Sequence, residues 1–505
     1  MPDLNNKAVL VVGLALSGRA ACRLLLEKGA RVTGLDEADT PALRREVAKL
    51  EPLGLKAVLG STEVPPGDYD LVVMSPGVPP GLRALEELRV RGVPVIGEFE
   101  LGYEFSQCLN VAITGTNGKT TTTELVAAIL THCQRKTIAA GNIGLPVCDV
   151  AGQTRELDFL TLEVSSFQLE TTRFFRPSVA VFLNLTPDHC DRYASLADYA
   201  RAKARIFANQ QVFDWAIVQK EALVRLQSLG VEIPSKVITF SANDREADIW
   251  LDRGLLTGRL PDWTGPLADM GRCKLQGAHN AENIMAALAV GHVLRLPLES
   301  MVEAVQRFEP AAHRCELVAV VNGVRFINDS KATNVDAARQ ALLSTAGPRP
   351  GGPNVWLIAG GKDKGFDFDE MGPLLSDRVK CVFLIGETAR KLATVWGRFT
   401  SCARVDSLLE AVLEAAKKAG SGDVVLLSPA CSSFDQFQNY QHRGEVFRSA
   451  VAQWEQAVRV SGRAGPAMGD TATDSVIEFE SLKKNLAPAF FEGKRRSETA
   501  ESSST

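Results

Sequence analysis

The chain has 505 residues, 45% of them hydrophobic and 23% charged, which is enough apolar material for about three cores and rules out a disordered chain. Lys and Arg total 56 against 60 Asp and Glu, a net charge of -4, and this balance argues against nucleic acid as the main partner. Ten cysteines follow no CxxC spacing, and no eighteen uncharged apolar residues run together, so a cytoplasmic protein without membrane insertion is expected.

Residues 7–105 begin with the apolar run KAVLVVG, a glycine turn over 13–18, an amphipathic helix to Glu27, a stop at Gly29 and a strand ending at Asp36. This is a mononucleotide-type βαβ start. Ala15 stands where the middle glycine of GxGxxG would admit a pyrophosphate, so the pattern is weak support for NAD. A further strand over 69–74 leads to Ser75-Pro76-Gly77, a second turn at the carboxyl edge where open parallel sheets bind ligands.

Residues 111–121, VAITGTNGKTT, break an apolar strand with a Gly-rich turn and continue as a helix. Backbone N–H groups of such a turn converge on an anion, Lys119 adds a positive charge and Thr120 a hydroxyl for Mg²⁺, so a polyphosphate nucleotide is the expected guest. The first glycine is Gly115, which makes the loop shorter than GxxxxGK[ST]. Strands follow near 159–164 and 179–185 and helices near 197–208 and 279–295; residues 238–274 resemble short antiparallel strands inserted in the α/β pattern. Glu163 and His189 fall at or after strand ends, the latter beside Asp188 and Asp191, where a carboxylate can hold Mg²⁺ and an imidazole a metal or a carboxylate. Tyr199, Ala202, Lys203, Ile206 and Phe207 share a helical stripe. Desolvation there would favour a neutral Lys203 amine able to form a carbamate with CO₂, but spacing alone favours a lysine snorkelling from the stripe edge.

From Glu316 the pattern predicts a third α/β unit, with strands at 324–327, 355–359, 381–385 and 424–427 and a helix at 334–343. Three polar loops follow strands: 328–331 (NDSK), 360–364 (GGKDK) and 428–434 (SPACSSF). Thr333 and Asp336 fit a variant capping box. Residues 461–505 read as a disordered tail, with 476–486 able to become helical.

GTNGKTTT, GNIGLP (141–146), EVSSFQLE (163–170), NLTPDHCDRY (184–193), AHNAEN (278–283), HRCE (313–316), NDSKATN (328–334) and LSPACSSFDQF (427–437) together resemble the ATP-dependent Mur ligases, over residues 7–457. Within that family SSFQLE, NDSKATN and SPACSSFDQF are similar to members that add D-glutamate. The resemblance implies three domains: an N-terminal Rossmann-like UDP-binding domain (1–107), a central P-loop ATPase-like α/β domain with a small antiparallel insert (108–311) and a C-terminal Rossmann-like α/β domain binding the amino acid (312–460). It implies that ATP phosphorylates the carboxylate of UDP-MurNAc-L-alanine and that the amine of D-glutamate displaces the phosphate. Cofactors would be ATP, two Mg²⁺ and CO₂ as a lysine carbamate, in a monomer.

Carried over by motif position, Lys119, Glu163, His189 and Lys203 would be catalytic, and Thr120, Glu163, His189 and carbamylated Lys203 would hold metal. Gly115, Thr116, Asn117, Gly118, Lys119, Thr120, Thr121, Asn280, Asn283, Arg314 and Asp329 would face ATP. Leu16, Ser17, Asp36, Ser75, Pro76, Gly77, Asn142 and His189 would hold the UDP-sugar, although Glu37 and Ala38 replace an arginine of some relatives. Thr333, Lys364, Ser433, Phe434 and Tyr440 would hold D-glutamate. A ligase adding glutamate to folate would share the cradle and the lysine, but the first domain and NDSKATN argue against it. A nucleotide-sensing module without catalysis would have no use for Glu163, His189, Lys203 and Lys364.

Overall fold

A computed structural model describes residues 3–78, 82–189, 192–309, 312–345 and 352–461. The predicted tail with its 476–486 segment, Cys190 and Asp191 lie outside the described residues. Three sheets follow one another along the chain. The first is parallel, in the order Lys56–Leu59, Arg31–Asp36, Ala8–Val12, Leu71–Met74, Val95–Gly97. Its direction of winding reverses at Ala8–Val12, which opens a crevice at the carboxyl ends of the strands. The helix that follows is Leu16–Glu27, so it begins inside the expected turn rather than after it.

The central sheet has nine strands, and the phosphate-loop strand Leu109–Thr114 lies between Phe159–Glu163 and Val179–Phe182. Thr137–Gly141 lies beyond Phe159–Glu163, while Trp215–Gln219 and Lys236–Ser241 lie beyond Val179–Phe182, all parallel. Ile113 is level with both Glu163 and Val181, so three strand ends open on one edge. Alternate residues pack on opposite faces: Val111 and Ile113 join the core beneath helix Ala278–Val293, and Ala112 joins the core with Leu160 and Phe182. A parallel sheet buried on both faces gives near-continuous apolar strands, the pattern read from the sequence. The antiparallel strands Ile249–Asp252, Leu255–Leu260 and Trp263–Asp269 form as expected, but they extend this sheet, because Phe240 pairs in parallel with Ile249.

The third sheet runs Glu316–Val321, Val324–Asn328, Val424–Leu427, Val355–Gly360, Val379–Ile385, Ser401–Arg404. Only its first strand is antiparallel. Among the described residues no helix is long and apolar enough to cross a membrane. The nine described cysteines are free, and five are buried.

Helix Glu98–Phe105 joins the first two sheets, and its Glu98 and Glu100 are fully buried. Glu98 Oε1 accepts the Cys148 N–H at 2.8 Å, while its Oε2 has no hydrogen-bond partner among the described residues. The Glu100 carboxylate accepts the N–H groups of Phe174 and Phe175. Arg23 adds a two-pronged ion pair to Asp149 at 2.8 and 3.0 Å. Burial raises the Glu98 carboxyl from 4.5 to about 7, with the Asp149 charge adding to the rise. The folded protein therefore holds this proton more tightly than the unfolded chain, and stability falls as pH climbs from about 4.5 through 7. Glu98→Gln should remove up to about 3 kcal/mol of that fall, so melting temperature compared at pH 5.5 and 8 should depend less on pH in the variant. An unchanged pH slope would refute the assignment.

Candidate active site

The strand Leu109–Thr114 ends in Gly115, and helix Lys119–His132 starts after Gly118. Gly118 has φ of 81°, and a Cβ on it would collide with the Asn283 side-chain oxygen, so only glycine lets the loop pass the helix Ala278–Val293. Asn184 Oδ1 accepts the N–H groups of Thr116 and Asn117 at 3.0 and 2.8 Å and fixes the first half of the loop. Among the described residues no side chain caps the helix that follows, so its N-terminus is open to an anion. Lys119 Nζ donates to the carbonyls of Thr116 and Gly115 at 2.8 and 3.0 Å.

Lys203 donates to the same Gly115 carbonyl, at 2.8 Å. It is 1% exposed and lies 4.6 Å from the centre of the Tyr199 ring, so the snorkelling expectation is wrong: the apolar stripe faces the phosphate loop rather than solvent. Burial pushes its ammonium well below the usual lysine range, and the nearby Lys119 charge adds to the shift. Two lysine Nζ atoms thus share one carbonyl oxygen.

Glu163 is 3% exposed at the end of its strand. Its two oxygens accept from Thr120 Oγ1 at 2.6 Å and Asn142 Nδ2 at 2.7 Å. His189 stands on a left-handed backbone, φ 53°, with its ring 4.7 Å from that of Phe167. Burial lowers its pKa against the opposing charge of Asp188.

The third sheet closes over this edge. Lys364 Nζ lies 3.5 Å from Asp188 Oδ1, and Asn334 Nδ2 bonds Asp188 Oδ2 at 3.2 Å and Asn117 Oδ1 at 3.1 Å. The expected capping box at Thr333 is not formed. The helix is Val335–Thr345 and Asn334 caps it, accepting the Ala337 N–H at 2.8 Å. Asp336 instead accepts from Asn117 Nδ2 at 2.7 Å, a tertiary partner that displaces the local one. Between the central and third sheets lies a cavity of about 760 Å³, lined by residues 116–121, Glu163, His189, Asn280, Asn283, Arg314, Asp329, Thr333 and Lys364, among others. Asp329 is held by Ser428 Oγ at 2.9 Å and the Cys315 N–H at 3.1 Å, and burial raises it to about 7. Ser433, Phe434 and Tyr440 do not line this cavity; Ser433 is buried and Phe434 is 69% exposed.

A second cleft of about 460 Å³ opens at the first sheet's crevice, lined by Leu16, Ser17, Asp36, Ser75, Pro76, Gly77 and Asn142. His189 is not in it, whereas Asn142 lines both cavities. Asp36 accepts the N–H groups of Leu14 at 2.6 Å and Ala38 at 2.8 Å, so it shapes the loop. The described lining contains no lysine or arginine, and the uncapped N-terminus of helix Leu16–Glu27 is the positive element that remains.

Residues 7–97 match the Mur ligase MurD-like N-terminal domain, 113–291 the Mur ligase middle domain and 313–431 the Mur ligase glutamate ligase domain. The chain belongs to the Mur ligase family. This Mur ligase is 42% identical over 465 residues to the UDP-N-acetylmuramoylalanine–D-glutamate ligase of Acidobacterium capsulatum, covering 90% of this chain and 99% of that one. It is 42% identical over 452 residues to the ligase of the same description from Koribacter versatilis, covering 89% and 98%. Its fold is shared with the MurF ligase of Thermotoga maritima solved with ADP (TM-score 0.56, 16% identity, 90% and 96% covered). It is shared too with a pseudomurein peptide ligase type C of Methanothermus fervidus (TM-score 0.56, 17% identity, 89% and 100% covered). As expected of this family, the enzyme depends on ATP and Mg²⁺.

Lys331 is a site residue that spacing did not single out. It lines the main cavity, lies 4.0 Å from the centre of the Tyr440 ring and is lowered to about 8, first by burial and then by the Arg314 charge. The signal was its place in a strand-end loop beside Asp329; its neighbours come from other loops.

Proposed function

We propose that this Mur ligase joins D-glutamate to UDP-N-acetylmuramoyl-L-alanine in the cytoplasmic stage of peptidoglycan precursor synthesis, cleaving ATP to ADP and phosphate. The observation that carries this reading is the order of features across the three sheets: the second cleft, Asn142 shared by both cavities, Glu163, the phosphate loop, then Lys364 of the third sheet. A carboxylate reaching in from the cleft and a terminal phosphate on the loop would meet beside Glu163. In the first step a carboxylate oxygen bonds the γ-phosphorus and the bond to ADP breaks. In the second, the neutral amine of D-glutamate bonds the acyl carbon, phosphate leaves, and the nitrogen gives up its proton. The likeness to D-glutamate ligases over nearly their whole length supports the choice of amino acid. We assign residues 1–107 to the UDP-sugar, 108–311 to ATP and 312–460 to the amino acid.

Among the described residues no three carboxylate, imidazole or thiolate groups converge on a metal site. Mg²⁺ needs only one or two carboxylates when substrate phosphates complete its shell, so Thr120 and Glu163 with His189 nearby fit it. Held by Thr120 and Glu163, such an ion would supply positive charge to offset that of the transferring phosphoryl group. A carbamate on Lys203 would add the missing anion and relieve the crowding of two lysine side chains on the Gly115 carbonyl, which supports that modification.

The test is phosphate release from ATP with UDP-MurNAc-L-alanine and D-glutamate, L-glutamate or other amino acids. Stimulation by D-glutamate alone is expected; stimulation only by a pteroate acceptor with glutamate would favour the folate reading. Lys364→Ala should raise KM for D-glutamate about tenfold or more while leaving KM for ATP within about threefold, and an equal rise in both would sink the assignment.

A further inference from the structure

Arg443, in the first turn of helix Tyr440–Ser461, is fully buried and makes no ion pair among the described residues. Its Nε donates to Ser330 Oγ at 3.0 Å and its Nη2 to the Ser330 carbonyl at 2.8 Å. Its Nη1 donates to the carbonyls of Cys431 at 3.2 Å and Ser432 at 3.4 Å. The Ser432 carbonyl also accepts the Lys362 N–H at 2.9 Å, and the Lys362 carbonyl accepts the Ser432 N–H at 3.2 Å. Ser330 Oγ donates onward to the Tyr440 carbonyl at 2.8 Å. One guanidinium therefore meets two of the three polar strand-end loops and reaches the third through Ser432. From those contacts the chain runs directly to Lys331 and Thr333, to Lys364, and to Ser433 and Phe434.

A buried cation that hydrogen-bonds only neutral oxygens, attracted by the Asp435 and Asp329 charges without an ion pair to either, is a poor stabilising device, since a well-packed apolar residue would avoid its desolvation. What arginine alone offers here is a planar fork whose donors have fixed directions. We propose that Arg443 is the positioning residue that holds the three loops in one register and thereby sets affinity for the amino acid acceptor. This inference rests on the D-glutamate reading given above. Arg443 touches no substrate; it acts through Ser330 and Ser432.

The experiment compares wild type, Arg443→Lys and Ser330→Ala in the ATP, UDP-MurNAc-L-alanine and D-glutamate assay, with a melting curve for each. Wild type without D-glutamate-dependent turnover would refute the function itself rather than this inference. With wild type active, Arg443→Lys, which keeps the charge and loses the fork, should raise KM for D-glutamate about tenfold or more, with KM for ATP and the UDP-sugar within about threefold. Ser330→Ala, which removes one acceptor, should move the same constant by a smaller factor. Equal changes in all three KM values, or none in that for D-glutamate, would overturn the proposal. If Arg443→Lys fails to fold, Ser330→Ala decides: a rise confined to D-glutamate supports the inference, and a uniform or absent change refutes it.

Discussion

Lys203→Ala should lower kcat on the order of a thousandfold, and added acetate or formate should restore a measurable part of it. The amine is 1% exposed and shares the Gly115 carbonyl with Lys119, so its cationic form is disfavoured by burial and by a like charge. A neutral amine can add CO₂, and the product is an anion close to Glu163 and Thr120, where Mg²⁺ would be held. A short carboxylic acid diffusing into the space left by the truncated side chain would supply the same charge. Phosphate release titrated with acetate measures this, and ¹³C-labelled bicarbonate should give a carbamate resonance in wild type that the variant lacks. Lys203→Ala with no recovery across a broad range of acetate and formate would show that the lysine works as an amine.

Lys119→Ala should reduce kcat/KM by on the order of a thousandfold or more and abolish the rise in melting temperature that ATP or ADP confers. Its ammonium is held by two carbonyls of its own loop, contacts it can exchange for phosphate oxygens when nucleotide arrives. Those carbonyls are the side chain's only hydrogen-bond partners among the described residues, so the variant should melt within a few degrees of wild type without nucleotide. Calorimetric titration with ADP separates the cases: retained binding with lost turnover would confine Lys119 to the chemical step.

The parts of the site that were legible in sequence are those built from neighbours in the chain. Gly115, Gly118, Lys119 and Thr120 occupy one turn, and its strand, loop and helix are each signalled locally. Lys203 was half legible: helical spacing placed it on an apolar stripe, but that the stripe faces Gly115, 88 residues away, depends on the sheet order. Asp336 was misread because a cap three residues from Thr333 is the obvious local partner, whereas the fold offers Asn117 across 219 residues. The edge strand Glu316–Val321 gave little signal, since Leu317 and Val320 are more than half exposed and the strand lacks a clear buried face. Arg443 was invisible, because a single arginine in a helical pattern reads as surface unless its contacts are known.

The buried acids of helix Glu98–Phe105 bear on the second cleft, although neither touches it. One wall of that cleft comes from residues 12–17 and 75–78, the other from 141–146 and Gln168, and Glu98 and Glu100 bolt the two walls together. The cleft is thus preorganised: its ordering entropy is settled when the chain folds, not when a ligand arrives. By linkage, any ligand spanning both walls must tighten the junction as much as the junction tightens the ligand. Loosening a helix remote from the cleft would therefore weaken binding there without removing a single contact.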